Sequence, residues 1–581
     1  SNDGTEHKHG GDTPVAARTR AEHKHGGDTP VAARTRQGRR RRRQALPAGW
    51  HTHTPTVNVV VGGMPQTYNE AMASNNAAEW RQAAEEEMKN QSDHKTWELV
   101  PRKAGMKTLG TRWVWSLKLN PDGSIARWKA RLLCKGFAQR AGLHYNFLYA
   151  PVAQAKSMRL LVALANFLGL TLWQIDVRAA FLNAELEEEI YVEQAEGFED
   201  PLHPDWVYRL LRPLYGLRQA PRCWFQRLST VLEGIGFTMS QMDSCVFTAA
   251  DGQRSLGMHV DDIIVAGRDD EDTAPDGVIV QLKRHFEVTY VQGSPWLLNI
   301  RLTRDWERGV IKLDQQLQIE HFLKQFGMAD CKSIRTPANT GRVMVTTAEE
   351  TPDEKRLVEA FNYRAQVGAL MYLAVHTRPD IMEATSVLSS YSTHPRKIHV
   401  QAVKRVWRYL QGTKTLGLVY TKKSGPLHLS AFADASYADD PVTRRSRGAY
   451  VTMVGGGPVD WWSQLMKTVA LSTCESETMA ATEAGKEVVW CRALLVELGC
   501  VQAEPTPVFE DNQGAIDLSV SDKHHKRTKH IHVRYRWLKQ ATLQGQLALV
   551  KVSTKEQLAD LLTKALPAPQ FEYLRAKLMG E

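Results

Sequence analysis

The sequence predicts an α+β protein with a compact α/β domain at its C-terminal end and a disordered basic tail at its N-terminal end. Three observations point there. Between Trp97 and about Gly341, alternating and helical patterns are interleaved. Lys355–Gly412 is dominated by helical spacing, at Val367, Leu370, Met371, Leu373 and Ala374, then at Val403, Val406, Trp407 and Leu410. From Leu427 the pattern becomes three alternating strands, a long helix over Ser472–Leu498, a short strand over Pro507–Glu510, and helical segments to the end. Strands followed by helix–strand–helix form a self-contained layered domain.

With 43% hydrophobic and 24% charged residues among 581, the chain has apolar material for about two to four domains. That composition excludes collagen-like, coiled-coil and mostly disordered proteins. The most apolar stretch, Leu160–Trp173, is broken by Asn166 and falls short of the ~20 residues a membrane helix needs. No charged-then-apolar leader opens the sequence, and the seven cysteines are scattered without a C-x-x-C pair. An intracellular protein with reduced thiols is expected, with no membrane partner.

Taken in order, the tail comes first. Glu6–Arg20 reads EHKHGGDTPVAARTR and recurs at Glu22–Arg36, followed by arginines 39–43. Residues 1–50 hold eleven Lys/Arg against five acids, which is +6 of the total +10. The rest of the chain is therefore only modestly basic, and net charge is weak evidence for nucleic-acid binding by the folded part. The tail reads as an electrostatic or nuclear-import arm, or as an incidental duplication. Tyr68–Met88 then has helical spacing at Ala71, Trp80, Ala84 and Met88.

Two constellations of acids follow. Leu172–Val177 is a strand with one acid, Asp176, near its end, and Ser255–Ala266 is two apolar runs joined at Asp261-Asp262. A hairpin of that pattern lifts two carboxylates from a core, and a third from a neighbouring strand completes a site for two divalent cations. Oxygen-only ligands suit Mg²⁺. Asp-Asp is also common in ordinary turns, and spacing alone does not decide between the two.

Longer motifs do. Gln174-Ile-Asp-Val-Arg-Ala-Ala-Phe-Leu-Asn183, Leu214-Tyr-Gly-Leu-Arg-Gln-Ala-Pro-Arg222 and His259-Val-Asp-Asp262 resemble three motifs of the reverse transcriptase of copia-type LTR retrotransposons. Trp97-Glu-Leu-Val, Trp128–Phe137, Tyr363–Ala374, Thr377-Arg-Pro-Asp-Ile381 and Arg408-Tyr-Leu-Gln-Gly-Thr413 extend the resemblance. It implies a right-hand polymerase with fingers, palm and thumb-like parts, whose catalytic site is Asp176, Asp261 and Asp262. It further implies that Lys129 and Arg131, with Lys118 as a further candidate, neutralise triphosphate charge, and that Phe181 lies beneath the incoming sugar and excludes a 2′-hydroxyl. Tyr215, Gly216 and Gln219 would line the nucleotide and template pocket, with Pro221 opening the next helix. Two positions depart from the family: His259 replaces an aromatic residue, and Leu298-Asn299 replaces Leu-Gly in the primer-gripping hairpin.

The C-terminal domain offers acids on four elements: Asp434 on a strand, Glu477 on the long helix, Asp511 at a second strand's end and Asp560 on a terminal helix. This region resembles a retroviral-type ribonuclease H, in which four such carboxylates gather two Mg²⁺. Glu477 is preferred over Glu475 because Glu477–Ala481 matches the family's Glu-x-x-Ala-Ala. Lys523–His532 resembles the family's His-x-Arg-Thr-Lys-His-Ile stretch and reads as a basic patch against phosphates rather than a zinc site.

The expected organisation is a tail over 1–63, reverse transcriptase over 64–341, a connection over 342–425 and a ribonuclease H-like domain over 426–581. The resemblance implies an RNA-directed DNA polymerase and hybrid ribonuclease with two Mg²⁺ (Mn²⁺ as an alternative) per site. Its partners would be RNA template, DNA primer, RNA–DNA hybrid and deoxynucleoside triphosphates, in cytoplasmic particles and the nucleus. Without a protease signature, zinc knuckle or integrase core, the chain reads as part of a larger polyprotein or a truncated copy. An inactive nucleic-acid-binding remnant and a ribonuclease H alone are the other readings.

Overall fold

In the computed structural model, helix α1 (Ala155–Leu168) is apolar on almost every side, and all residues from Ser157 to Asn166 are buried. A helix apolar all round must be covered all round. Gly169 ends it in the left-handed conformation, φ 72. Strand β1 (Thr171–Val177) follows, then helix α2 (Ala220–Gly234), which has Pro221 in its first turn as expected. Strands β2 (Ser255–His259), β3 (Asp262–Gly267) and β4 (Val288–Gln292) complete the site-bearing set. A six-stranded sheet runs β4-β1-β3-β2, then Val246–Ala249 and Phe237–Met239, every neighbour antiparallel.

The residues described are 64–581 except 120–124, 143, 146, 261, 269–271, 275–276, 294–295, 299, 343, 346–348, 423, 521–531 and 581. The repeated tail, Asp261, Asn299 and most of the Lys523–His532 patch therefore lie outside them. Among the described residues no helix is long and apolar enough to cross a membrane. All seven cysteines are free, as expected.

Ahead of α1, Ala77–Asp93 packs on the hairpin Thr111–Leu119/Ile125–Cys134 around Trp80, Trp113, Trp115 and Leu132. The single helix expected over Tyr68–Met88 is two, Tyr68–Met72 and Ala77–Asp93. Ser74 breaks it: its hydroxyl donates to Ala71 O and accepts from Asn76 N–H, the local competition that makes such residues turn formers.

The helical pattern expected over Lys355–Gly412 is seen as Pro352–Ala360, Tyr363–His376, Met382–Ser389 and Lys397–Gly412. The expected boundary at 341/342 is no break in packing. Gly417–Thr421, beyond it, pairs with Val310–Asp314 and completes a four-stranded sheet. The C-terminal domain contains β5 (Leu429–Ser436), β6 (Arg447–Val454), β7 (Gly457–Leu465), α3 (Thr473–Glu497), β8 (Thr506–Glu510) and β9 (Leu547–Lys551). Its sheet order is β7-β6-β5-β8-β9, with β5, β8 and β9 parallel. Strand β9 corrects the expectation of helices alone after Glu510. A short apolar run without alternation does not distinguish strand from helix.

The cover over α1 comes from this domain as well as from the six-stranded sheet. Arg159, in mid-helix and 4% exposed, donates to Val459 O at 2.6 Å, Val375 O at 2.9 Å and His376 O at 3.1 Å. Lys156 pairs with Glu487 of α3 at 2.8 Å. One apolar core runs from Ala153 to Met579.

Candidate active sites

Strands β1 and β3 pair with Asp176 directly opposite Asp262, and β2 pairs with β3 so that His259 is opposite Asp262. Opposed residues of an antiparallel pair have Cα atoms ~4.5–5.5 Å apart. Val260 and Asp261 alone connect β2 to β3, so the chain places Asp261 between Val260 and Asp262. Asp176 is exposed and Asp262 is buried. Val260 has φ 60, a left-handed conformation that costs a β-branched residue roughly 1–3 kcal/mol. Trp224 of α2, 1% exposed, donates its indole N–H to Val260 O at 2.6 Å and fixes that turn.

In the hairpin Thr111–Leu119/Ile125–Cys134, strand alternation leaves Lys129 and Arg131 partly exposed while Ala130 and Leu132 are buried. The Arg131 guanidinium lies 5.2 Å from the centre of the Tyr215 ring, which lies 5.3 Å from that of Phe181. Gly216 has φ 92, and a Cβ there would meet Cys134 O at 2.3 Å, so only glycine fits. Lys129, Arg131, Phe181, Tyr215 and Gly216 are thus brought together. Gln219 is not on that surface. It is 1% exposed, accepts from Gln139 at 2.9 Å and donates to His144 O at 2.8 Å, supporting the loop from within. The side chain of Lys118 lies outside the described residues.

In the C-terminal domain, carboxylate oxygens of Asp434, Glu477 and Asp511 lie within 4.8 Å of one another. Asp434 ends up near the tip of β5, 2% exposed, and accepts the Thr563 hydroxyl. Glu477, in the second turn of α3, is pushed up to about 10, by burial first and then by the charges of Glu510, Asp434 and Asp511. Burial and the Asp434 charge push Asp560 up to about 7. Lys564 stands against both, 2.7 Å from Asp560 and 3.6 Å from Asp434. Burial works against its charge, but these acids raise its pKa. Asp511, just beyond β8, accepts the Thr554 hydroxyl at 2.8 Å. Glu475 is engaged elsewhere: its carboxylate accepts Leu471 N–H at 2.6 Å while the Ser472 hydroxyl accepts Glu475 N–H, a helix-start arrangement.

Residues 94–340 match the family described as reverse transcriptase (RNA-dependent DNA polymerase). The chain is 36% identical over 550 residues to the retrovirus-related Pol polyprotein from transposon TNT 1-94 of Nicotiana tabacum, covering 93% of this chain and 41% of that protein. It is 35% identical over 518 residues to the corresponding polyprotein from transposon RE2 of Arabidopsis thaliana, covering 88% and 34%. The putative transposon Ty5-1 protein of Saccharomyces cerevisiae is 30% identical over its whole length and 54% of this chain. The chain belongs to the copia-type retrotransposon reverse transcriptases. It spans about two fifths or less of the first two relatives.

In this copia-type chain the matched reverse transcriptase region is followed by the helices to Gly412 and the sheet β7-β6-β5-β8-β9, in an α+β fold. Of the two departures, His259 sits at the end of β2 opposite Asp262, and Asn299 lies outside the described residues. The hairpin's positive φ falls on Leu298, φ 51, rather than on a glycine. Sequence reasoning missed Trp224, Lys564 and Glu510. Lys564 follows Asp560 by four residues, one helical turn, and Glu510 adjoins Asp511, but strand alternation assigns neighbours to opposite faces.

Proposed function

We propose that this chain copies RNA and DNA templates into DNA and cleaves the RNA strand of the resulting hybrid. The opposition of Asp176 and Asp262, with the turn at Val260 beside them, supports the first activity most directly. The donor sets fit a hard divalent cation: they are oxygen only, and the buried Oε2 of Glu477 has no hydrogen-bond partner among the described residues. Asp176, Asp261 and Asp262 would hold Mg²⁺ or Mn²⁺ in one centre, and Asp434, Glu477, Asp511 and Asp560 in the other. When bound, such cations activate the attacking oxygen and steady the leaving one.

The side chains around them divide the remaining work. Lys129 and Arg131 meet triphosphate charge, and electrostatic stabilisation of this kind dominates phosphoryl transfer. Phe181, braced by Tyr215, blocks a 2′-hydroxyl. Gly216 allows close backbone approach, and Gln219 positions the loop that bears both. Contacts to RNA template, DNA primer and hybrid run mainly to phosphates, because any sequence must be accepted. The division into 64–341, 342–425 and 426–581, preceded by the 1–63 tail, and residence in cytoplasmic particles and the nucleus belong to this reading.

Primer extension on poly(rA)/oligo(dT) with Mg²⁺ or Mn²⁺ tests it. Extension is expected from the chain and not from Asp261→Asn. No extension by the unmodified chain overturns the polymerase reading and leaves a nucleic-acid-binding remnant or a nuclease. Trp224→Phe is expected to slow single-nucleotide incorporation by about fivefold. It removes a hydrogen bond worth ~1 kcal/mol from a strained turn but keeps the packing. An unchanged incorporation rate would show that the turn holds without the indole.

A further inference from the structure

Glu510 has no part in the four-acid scheme, yet it is 0% exposed in the last position of β8. Alternation along β8 puts Glu510 on the same side as the buried Thr506 and Val508, opposite to Asp511. Its Oε1 accepts Asn512 N–H at 2.9 Å, which fixes the carboxylate plane. Its Oε2 is buried without a hydrogen-bond partner among the described residues, and so is the Oε2 of Glu477. An unpartnered buried carboxylate oxygen costs several kcal/mol unless a proton or cation compensates it. Two such oxygens, on neighbouring acids in one nest, are a specific demand for positive charge.

The charges around them agree. Among the charges acting on Glu477, that of Glu510 is the largest. Lys564, the ammonium in the nest, is engaged by Asp560 and Asp434. If Asp434, Glu477, Glu510, Asp511 and Asp560 all ionise against Lys564, four negative charges remain, the charge of two divalent cations.

We propose that Glu510 is a fifth carboxylate of the divalent-cation centre, set on the Glu477 side of the Asp434–Glu477–Asp511 group. The proposal rests on the nuclease reading above. Glu510 raises the centre's affinity for divalent cations and completes the charge that they neutralise. Glu510 is not placed among the groups that touch the nucleic acid.

Mn²⁺ titration of the full-length chain, followed by the electron paramagnetic resonance of free Mn²⁺, tests this without an activity measurement. Asp176→Asn in every sample weakens the polymerase centre. Adding Glu510→Gln is expected to lower Mn²⁺ affinity at the nuclease centre by about tenfold, the scale on which residues supporting a metal site act. Glu510→Met, similar in volume, is expected to do the same and stands in if the amide variant does not fold. Asp511→Asn serves as the control. Weakened binding in Asp511→Asn with unchanged binding in Glu510→Gln overturns the role of Glu510 alone. A Glu510→Gln effect on melting in EDTA without an effect on Mn²⁺ affinity likewise overturns it. Unchanged binding in both variants overturns the nuclease centre itself.

Discussion

Asp511→Asn is expected to lower cleavage of the RNA strand in an RNA–DNA hybrid by at least ~10³-fold, equivalent to roughly 4 kcal/mol of barrier. Primer extension by the same preparation is expected to stay within about twofold. Asp511 is the least buried of the three acids whose oxygens lie within 4.8 Å. Its side chain accepts the Thr554 hydroxyl, a bond that the asparagine oxygen can keep. The substitution therefore removes charge while keeping shape. It also removes one of the charges that raise Glu477, Glu510 and Asp560, so the fold in EDTA is expected to hold or gain stability. Hybrid cleavage assayed beside extension separates the outcomes. Cleavage that survives Asp511→Asn would place the nuclease chemistry elsewhere, and joint loss of both activities would point to a folding defect.

The clarity of the sequence tracks how local each determinant is. The strand ending in Asp176, the hairpin around Asp261 and the long helix bearing Glu477 were legible because their periodicities and turn residues lie within the segment. Leu160–Trp173 was legible only as apolar. That it is a helix turning at Gly169 into β1, covered by both the six-stranded sheet and β7, depends on partners such as Val459 and Glu487, roughly 300 residues away. Strand β9 was hidden for the same reason, because it pairs in parallel with β8 across an intervening segment. Glu510 was hidden by a correct rule, since alternation does turn it away from Asp511. That Glu477 of α3 feels the charges of both acids has no signature in β8 alone.

Arg378→Met is expected to destabilise the chain by about 3–5 kcal/mol, the scale for breaking a buried ion pair by removing one partner. Arg378 and Asp380 have fully buried side chains and meet through two bonds of 2.9 and 2.7 Å. The same guanidinium donates to Thr413 O at 2.9 Å and to its hydroxyl at 2.8 Å, which ties the end of Lys397–Gly412 to the turn after Tyr363–His376. Tyr409 donates to Asp380 at 2.5 Å and accepts from Arg575 of the last helix at 3.2 Å, so three separate segments converge on one carboxylate. Burial pushes Asp380 up, but the Arg378 charge and bonds hold it below the ordinary carboxylate value. A depressed carboxyl contributes stability that is present above its unfolded value of ~4 and lost as the pH falls below it. Methionine keeps the volume and strands the charge. Arg378→Met/Asp380→Leu removes both charges and is expected to recover most of the loss, because apolar replacement of a whole buried pair is often neutral or stabilising. Thermal and urea unfolding of the single and double variants measure this. A single variant as stable as the parent would show that Tyr409 and Arg575 suffice to hold Asp380. A double variant no better than the single would place the value of Arg378 in its bonds to Thr413.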